Sequence, residues 1–491
     1  MKTRQYIGAV ARSDHKIVVL NSSIKELRLD PKNPRHHSAR QIRQIAESIQ
    51  SFGFNVPVLI DGNGKVIAGH GRVMACQQLG WTEVPTIALE HLSEVQARAF
   101  MLADNRLTEN STWDDRLLAE QLKELSALKL DFNLETIGFE TAEIDLRIES
   151  LNSDNDQHDD PADLIAAHAA GPPVSRPGDL FILGNHRVYC GSALDPASYT
   201  TLMQGERAAM VFTDPPYNVP IQGNVSGLGA IRHRDFAMGS GEMDESQFTA
   251  FLTQACSLSA HHSADGSLHF IFIDWRHLGE LLAAGQSVYT ELKNVCVWVK
   301  NHTGMGALYR SRHELIFVFR YGHSSHRNNI LLGKYGRDRT NVWTYPSPRT
   351  ASEEGNLLAL HPTVKPVRLV ADAILDCSAR GDIVLDAFLG SGTSLIAAER
   401  VGRYCRGLEL DPVYLDTTIR RWQAYTGDNA CHASSEKLFN ALAAARPSKR
   451  EANVSRSRIW KTTAGHTLPQ RAVGQSQGTS TRRAKRIDSA G

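Results

Sequence analysis

The stretch that decides the fold is residues 382–411, "DIVLDAFLGSGTSLIAAERVGRYCRGLELD". The run "IVLDAF" predicts a buried strand, "GSGT" a tight turn, "SLIAAERVG" a helix, and "YCRGLEL" a second strand ending near Glu409. This β-α-β order, with an acid 23 positions after Asp386, is the layout of a nucleoside-binding half of a Rossmann-like sheet. The sequence therefore predicts an α/β domain with a nucleoside site at this turn.

The glycine turn also indicates which nucleoside fits. Gly390 and Gly392 let a ligand approach the backbone, but Leu395 stands where the dinucleotide fingerprint needs a third glycine. Glu409 is expected to accept hydrogen bonds from both ribose hydroxyls. Asp386 faces the loop, where a carboxylate disfavours a pyrophosphate and favours an ammonium group. S-adenosylmethionine, an adenosyl ligand with an amino-acid tail, meets both conditions, although the glycine turn by itself also occurs where α/β turns only pack.

A second motif, "VFTDPPYNV" at residues 211–219, stiffens the chain directly after Asp214, because proline fixes φ and removes a backbone donor. Together with the cofactor-type loop it resembles the DNA amino-methyltransferases, and the resemblance covers about residues 175–427. The further motifs are "KNHTGMGALYRSRHELIFVF" (300–319), "HPTVKP" (361–366) and "DAFLGSGT" (386–393). "DPPY" precedes the cofactor loop, which is the circularly permuted order of the beta group. Ala387 departs from the family's usual proline, which weakens the stiffness of the turn without removing a ligand.

The resemblance implies transfer of a methyl group from S-adenosylmethionine to an exocyclic base amine. Asp214 and the backbone carbonyl of Pro215 are expected to accept the two N–H bonds of that amine and favour a pyramidal, nucleophilic nitrogen. Pro215 and Pro216 keep this geometry rigid, and Tyr217 offers a flat face for stacking. A base inside a duplex cannot reach such a pocket, so it must be flipped out. No metal is needed.

The same resemblance implies further binding residues. Lys365 is expected to pair with the carboxylate of the cofactor, although a lysine near a helix start is also common on surfaces. The expected cofactor-binding residues are His361, Lys365, Asp386, Phe388, Gly390, Gly392, Thr393 and Glu409. Residues 220–245 and 322–360 are rich in donors for phosphates and base edges. The expected DNA contacts are Arg310, Arg312, Arg337 and Arg339.

Asp214 also bears on the substrate. Aspartate at this position favours adenine-N6 methylation in this family, whereas cytosine-N4 enzymes more often carry serine. Cytosine-N4 methylation of DNA is the alternative, and a ParB-like DNA-binding or regulatory protein with a secondary methylase half is another. Methylation of RNA also stays open. Double-stranded DNA is the expected partner, while a homodimer and a cognate restriction enzyme stay open.

The N-terminal part carries its own structural signals. Apolar residues of "IRQIAESIQSFGF" recur at helical spacing and predict a helix that Gly53 ends. "VPVLI" and "KVIAG" are joined through "DGNG" at residues 61–64, which predicts a hairpin. Ser93, with Gln96 in the first turn, predicts another helix over residues 93–104. These elements predict a small α+β domain.

Residues 17–110 resemble the ParB/sulfiredoxin-like N-terminal domain. The motifs are "DPKNPR" (30–35), "SIQSFGFNVPVLID" (48–61), "VIAGHGR" (66–72), "LGWTEVP" (79–85) and "ADNR" (103–106). Gly69, Gly71 and Arg72 at a helix start suit a phosphate, but they equally fit a plain turn. His70 stands where sulfiredoxin relatives have their catalytic cysteine, and Cys76 is read as a packing residue. A DNA- or partner-docking module is therefore favoured over a catalytic one.

Composition bounds the remaining possibilities. The 491 residues are 42% hydrophobic and 22% charged, which is typical of soluble globular proteins. No apolar run reaches the roughly 18 residues of a membrane span, and the N-terminal stretch lacks an apolar signal core. The seven cysteines form no C-x-x-C pair. This spacing disfavours a zinc site or a disulfide framework and favours the cytoplasm.

The predicted organisation has five parts. They are a ParB-like domain (1–110), a helical extension that closes it (111–151), a linker (152–179), a Rossmann-like methyltransferase domain (180–430) and a basic tail (446–491). The tail holds eleven Lys and Arg against two acids, a net +9, which leaves −8 for the rest of a chain whose total is +1. The tail is expected to be disordered. A polyanion-binding arm and a merely solubilising tail are both consistent with it.

Overall fold

The computed structural model describes residues 17–128, 130–151, 161–163, 172–219, 241–301, 303, 308–330, 339–346 and 364–445. The predicted tail (446–491) and most of the predicted linker therefore lie outside the described residues. Within the described residues, no helix combines the length and the apolar character needed to cross a membrane.

The N-terminal domain is a four-stranded sheet of order β1-β4-β2-β3 covered by helices. Its strands are β1 (Val19–Ser23), β2 (Val58–Ile60), β3 (Val66–Ala68) and β4 (Glu83–Ala88). Its helices are α1 (Ala39–Phe52), α2 (His70–Gln78) and α3 (Glu94–Glu109). Gly53 ends α1 at φ 83°, as predicted, and its N–H donates to the carbonyl of Ile49. The predicted hairpin is confirmed because β2 pairs antiparallel with β3.

The start of α3 is also confirmed, and its end is not. The Ser93 side chain accepts from the Gln96 N–H while the Gln96 side chain accepts from the Ser93 N–H, which completes a capping box. The helix runs on to Glu109, five residues past the predicted end at residue 104. Only Met101 of α3 is buried. The longer helix thus lies largely on the surface of the domain.

The helical extension contains α4 (Asp115–Ala127), a short 3-10 turn (Leu134–Ile137) and α5 (Thr141–Ser150). Leu122, Ile144 and Ile148 form a small core between the two helices. The predicted role was to close the N-terminal domain, but α5 also contacts the larger domain. Its Asp145 carboxylate binds both Nη atoms of Arg403 at 3.0 and 2.6 Å in a buried, bidentate pair.

The larger domain is built on a ten-stranded sheet of order β11-β9-β10-β8-β7-β12-β13-β6-β5-β14. The strands are β5 (Leu180–Leu183), β6 (His186–Cys190), β7 (Ala208–Thr213), β8 (Ser263–Ile273), β9 (Glu291–Val299), β10 (His313–Arg320), β11 (Val342–Thr344), β12 (Ile383–Asp386), β13 (Tyr404–Glu409) and β14 (Cys431–His432). The central strands β8, β7, β12, β13 and β6 are parallel. The predicted Rossmann-like α/β fold is therefore present.

Helices pack on this sheet. They are α6 (Pro196–Met203), α7 (Glu245–His261), α8 (Leu278–Val288), α9 (Val367–Cys377), α10 (Thr393–Arg400), α11 (Pro412–Thr426) and α12 (Phe439–Ala445). The predicted β-α-β unit corresponds to β12, α10 and β13, with β12 and β13 in parallel register. Every residue of α10 from Thr393 to Ala398 is buried. All faces of this part of the helix are buried because the sheet and neighbouring helices surround it.

The described parts of the predicted linker, residues 161–163 and 172–179, are attached to the larger domain. The backbone N–H groups of Val174 and Ser175 donate to the buried carboxylate of Asp416 at 2.6 and 2.9 Å. The N–H of Val367 at the start of α9 donates to Asp163 at 2.8 Å. Hydrogen bonds to a buried carboxylate are strong. These described parts of the linker thus belong to the packed domain rather than to a free connection.

Candidate active site

The "DPPY" loop and the glycine turn lie side by side at the carboxyl ends of two central strands of the sheet. Strands β7 and β12 are parallel neighbours, so Asp214 and the glycine turn both follow strand ends on the same side. The hydroxyl of Thr213 donates to Asp386 Oδ1 at 2.9 Å and joins the two loops. In open α/β sheets, ligands bind in the crevice outside the carboxyl ends of the strands. The structure therefore brings both motifs to the position where such a ligand lies.

Asp386 organises the turn. Its Oδ1 also accepts from the N–H of Phe388 at 3.1 Å, and its Oδ2 accepts from the hydroxyl of Ser394 at 2.6 Å. Burial raises the pKa of Asp386 to about 6. Gly392 has φ 82°, and a Cβ there would lie 2.6 Å from Thr418 Cγ2, so only glycine fits. Asp386 holds this turn in shape before any ligand arrives.

Glu409 lies on the other side of the same turn, at the end of β13. Its Oε2 accepts from the N–H of Gly390 at 2.7 Å, and its Oε1 accepts from the N–H of Asp411 at 2.8 Å. Burial raises the pKa of Glu409 to about 7 despite these donors. Each carboxylate oxygen retains lone-pair capacity for a further donor. The predicted contact with a ribose stays a prediction that this position permits.

Asp214 is held from two directions. Its Oδ1 accepts from the Tyr217 hydroxyl and its Oδ2 from Lys365 Nζ, both at 2.5 Å. Burial raises the pKa of Asp214 against the opposing effect of Lys365. Asn218, at φ 53°, continues the loop, and its side-chain oxygen accepts from the N–H groups of Gly241 and Met243. The loop is thus rigid on both sides of the two prolines.

Lys365 is buried and fully engaged within this cluster. Its ammonium lies 3.1 Å from Glu314 Oε2 in addition to its contact with Asp214. It also lies 4.9 Å from the centre of the Phe272 ring and 5.9 Å from that of Trp298. Burial lowers the pKa of Lys365, but the two carboxylates raise it by more. The predicted pairing of this lysine with the cofactor stays a prediction, since the structure places it against Asp214.

Sequence reasoning missed Glu314. This residue lies on β10 and is buried, and its Oε1 contacts Lys300 Nζ at 2.5 Å while its Oε2 lies 3.1 Å from the Tyr217 hydroxyl. Burial raises its pKa, but Lys365 and Lys300 lower it to about 2. The signal was a single carboxylate inside the apolar run "ELIFVF" at residues 314–319. A charge in a buried strand needs a partner.

The other expected site residues fall in different places. Phe388 packs against Phe251 with ring centres 5.9 Å apart, and Thr393 is buried at the start of α10. Arg312 is exposed and donates to the carbonyl of Lys300 at 2.8 Å. Arg310 is also exposed. His361 and Arg337 lie outside the described residues.

Arg339 differs from these exposed arginines. Its Nε lies 2.7 Å from Asp376 Oδ2, and its guanidinium lies 5.3 Å from the centre of the Trp343 ring. Asp372 and the Tyr345 hydroxyl contact the same guanidinium. These partners stabilise the packing of the domain. A DNA contact by Arg339 stays a prediction that this environment does not favour.

The glycine turn of the N-terminal domain is also ordered. The Arg72 guanidinium donates to the carbonyl of Val56 at 2.5 Å, and the buried His70 ring accepts from the N–H of Asp30 at 3.3 Å. Cys76 is fully buried, in agreement with its interpretation as a packing residue, and burial raises its pKa to about 11. A phosphate at this turn stays a prediction. The described residues contain no cluster of His, Cys, Asp and Glu that could hold a metal.

Comparison with known proteins finds three family matches along the chain. A model described as DNA methylase matches residues 208–420. Models of the ParB N-terminal domain and of the ParB-methyltransferase HTH domain match residues 9–106 and 116–177. Both resemblances drawn from the sequence motifs are thereby confirmed. The HTH match was not anticipated, and it covers the helical extension and most of the predicted linker.

Individual relatives match the N-terminal domain and the methyltransferase domain of the chain separately. Over 81 residues the chain is 44% identical to the ParB-like nuclease domain-containing protein YnaK of Escherichia coli strain K12, covering 16% of this chain and 93% of that protein. Over 258 residues it is 26% identical to the type II methyltransferase M2.MboI of Moraxella bovis, covering 49% of this chain and 89% of that protein. The solved PvuII DNA methyltransferase, cytosine-N4-specific, is similar at 15% identity and a TM-score of 0.37, covering 51% of this chain and 89% of that one. A TM-score of this size supports no functional conclusion.

Proposed function

Because the chain joins a ParB N-terminal domain and a ParB-methyltransferase HTH domain to a DNA methylase domain of the N6/N4 class, we propose that it methylates adenine at N6 in double-stranded DNA. The methyl donor is S-adenosylmethionine. The observation that carries the proposal is the hydrogen bond between Thr213 and Asp386, which joins the loop that begins at Asp214 to the glycine turn after Asp386.

The cofactor turn suits the two ends of S-adenosylmethionine. The carboxylate of Glu409 is available to the ribose hydroxyls, and the acidic turn at Asp386 favours the ammonium of the amino-acid end. The positive φ of Gly392, against Thr418, fixes the course of this turn. When bound, the cofactor supplies an electrophilic methyl group on a sulfonium. The protein's task is then to hold the base amine in line with it.

Asp214 performs that task for the base. Its carboxylate and the carbonyl of Pro215 accept the two amine N–H bonds, which directs the nitrogen lone pair away from the ring and toward the cofactor turn. Tyr217 and Lys365 fix the carboxylate, so that little reorganisation accompanies the reaction. The amine proton released by methyl transfer passes to Asp214 or to water. The aspartate at this position supports adenine over cytosine as the substrate.

Product analysis tests the proposal directly. The purified chain is incubated with duplex DNA and isotope-labelled S-adenosylmethionine, and the DNA is then digested to nucleosides and analysed by mass spectrometry. We expect labelled N6-methyladenine, and none with the Asp214→Ala variant. Labelled N4-methylcytosine would overturn the adenine assignment. The absence of any labelled nucleoside, with cofactor bound, would overturn methyl transfer to DNA.

A further inference from the structure

Two carboxylates, the buried Glu314 and the half-buried Asp214, share the same two donors beside the proposed reaction centre. The Tyr217 hydroxyl lies 2.5 Å from Asp214 Oδ1 and 3.1 Å from Glu314 Oε2. Lys365 Nζ lies 2.5 Å from Asp214 Oδ2 and 3.1 Å from the same Glu314 oxygen. A phenol has a single O–H hydrogen, so it can serve only one carboxylate at a time. Glu314 therefore competes with Asp214 for the Tyr217 hydrogen, and it shares with Asp214 the Lys365 ammonium, which has three N–H hydrogens.

The charges of this group balance. Asp214 and Glu314 carry two negative charges when ionised, and Lys365 and Lys300 carry two positive ones. Lys300 contacts Glu314 at 2.5 Å and lies 4.9 Å from the centre of the Trp298 ring. Removing the charge of either Glu314 or Lys300 would leave the group with a net charge next to Asp214. Removing the Glu314 charge would leave a net positive charge, and removing the Lys300 charge would leave a net negative one.

We propose that Glu314 is a positioning residue of the methyl-transfer site, which draws Lys365 and Tyr217 partly away from Asp214 and so leaves Asp214 a strong acceptor for the base amine. This inference rests on the proposed function and extends it to a residue outside the "DPPY" motif. Without Glu314, Lys365 and Tyr217 bind Asp214 alone and withdraw its lone pairs from the substrate. Lys300 neutralises Glu314 from the opposite side and keeps it ionised.

The surroundings of Asp214 support this division of roles. Two ionisable groups whose environments push their pKa values apart take different roles in a site. Burial raises the pKa of Asp214, whereas the two lysines lower that of Glu314 to about 2. Among the described residues, the charged and titratable groups that face Asp214 are Tyr217, Glu314, Lys365 and, across the β7–β12 pair, Asp386. Asp386 is unchanged in the variants below, so it cannot account for a difference between them.

The test measures the single-turnover rate of DNA methylation against pH for the full chain. In Glu314→Gln, the uncompensated Lys300 and the fully engaged Lys365 lower the pKa of Asp214, so the acid limb of the profile moves to lower pH and the plateau rate falls. In Lys300→Met, the uncompensated Glu314 raises the pKa of Asp214, so the acid limb moves to higher pH. The two contacts through the Tyr217 oxygen place the carboxylate oxygens at most 5.6 Å apart. At an effective dielectric constant of about 20, loss of the Glu314 charge at this distance shifts the limb by about two pH units.

Matched controls come from the same sheet. Glu291→Gln and Lys293→Met remove the same charges from an exposed pair on β9, whose atoms lie 3.0 Å apart, and should leave the profile in place. The double variant Glu314→Gln with Lys300→Met restores neutrality and should return the limb toward that of the wild type. Cofactor affinity, measured by calorimetry, should stay unchanged in all of them.

The outcomes separate this inference from the proposed function. Methylation by the wild type together with unmoved limbs in both single variants would overturn the role of Glu314 and leave the proposed function standing. Shifts of the same sign in both would overturn it equally. If Glu314→Gln fails to fold, the upward shift in Lys300→Met decides. A wild type that transfers no methyl group to DNA overturns the proposed function and, with it, this role.

Discussion

Replacing Asp145 tests how firmly the helical extension is attached to the methyltransferase domain. The Asp145 carboxylate binds Arg403 through both Nη atoms and also lies 3.0 Å from Arg380 Nε. The side chains of Asp145 and Arg403 are 3% and 0% exposed. Asp145→Asn keeps the shape but removes the counter-charge of the buried Arg403 guanidinium and one of the carboxylates that face the half-buried Arg380. Removing one partner of a buried ion pair costs about 3–5 kcal/mol, so we expect a loss of that size.

Urea unfolding followed by tryptophan fluorescence measures this loss. With a slope of about 2–3 kcal/mol per M, the midpoint should fall by about 1–2 M in the transition that reports the larger domain. Asp115→Asn is the control, because Asp115 binds Arg147 at 2.6 Å with 83% of its side chain exposed, and exposed pairs contribute about 0–1 kcal/mol. Equal midpoints for the Asp145→Asn variant and the control would refute the reasoning.

Three further variants test the site and the tail. Asp214→Ala should abolish methylation while calorimetry shows cofactor affinity near that of the wild type, and wild-type turnover would contradict the assigned base contact. Glu409→Ala should weaken cofactor binding by about 1.5–3 kcal/mol, since it removes hydrogen bonds to a charged group. The proposed ribose contact requires ionised Glu409, and burial raises the pKa of Glu409 to about 7. Wild-type affinity should therefore fall as pH drops below that value, and titrations of Glu409→Ala should not show this fall. Truncation after Ala445 should weaken DNA binding at low salt and should leave the methylated sequence unchanged. The slope of log affinity against log salt should become flatter by about 0.9 for each phosphate that the tail contacts in the full chain. Identical slopes with and without the tail would mean that the tail only aids solubility.

Local patterns predicted the elements of the site well. The β12–α10–β13 unit follows from an apolar run, a glycine turn and a second apolar run, each of which acts over a few residues. The start of α3 follows from the Ser93 capping box in the same way. The end of α3 could not be predicted in this way, because no glycine or proline marks it. The polar sequence beyond residue 104 forms a helix as readily as a loop.

Long-range partners could not be predicted from the sequence. Nothing near Lys365 in the sequence indicates that it binds a carboxylate 151 positions away. Asp145 lies in a helix that looks amphipathic and exposed until Arg403, 258 positions later, buries it. Charged side chains usually face solvent, so a charge is taken as a surface residue unless the fold supplies its partner. Glu314 was missed for that reason.

The hydrogen bond between Thr213 and Asp386 links residues 173 positions apart, and it depends on two adjacent strands rather than on the chain between them. The intervening chain includes segments 220–245 and 322–360, in which DNA contacts are expected. Outside the positions that pack on the domain, such as Arg339 and Trp343, those segments can therefore diverge, lengthen or be exchanged between relatives while the ends of β7 and β12 keep their geometry. Such modularity would let new recognition sequences evolve on an unchanged chemical centre, and chimeric enzymes could be assembled by the same division.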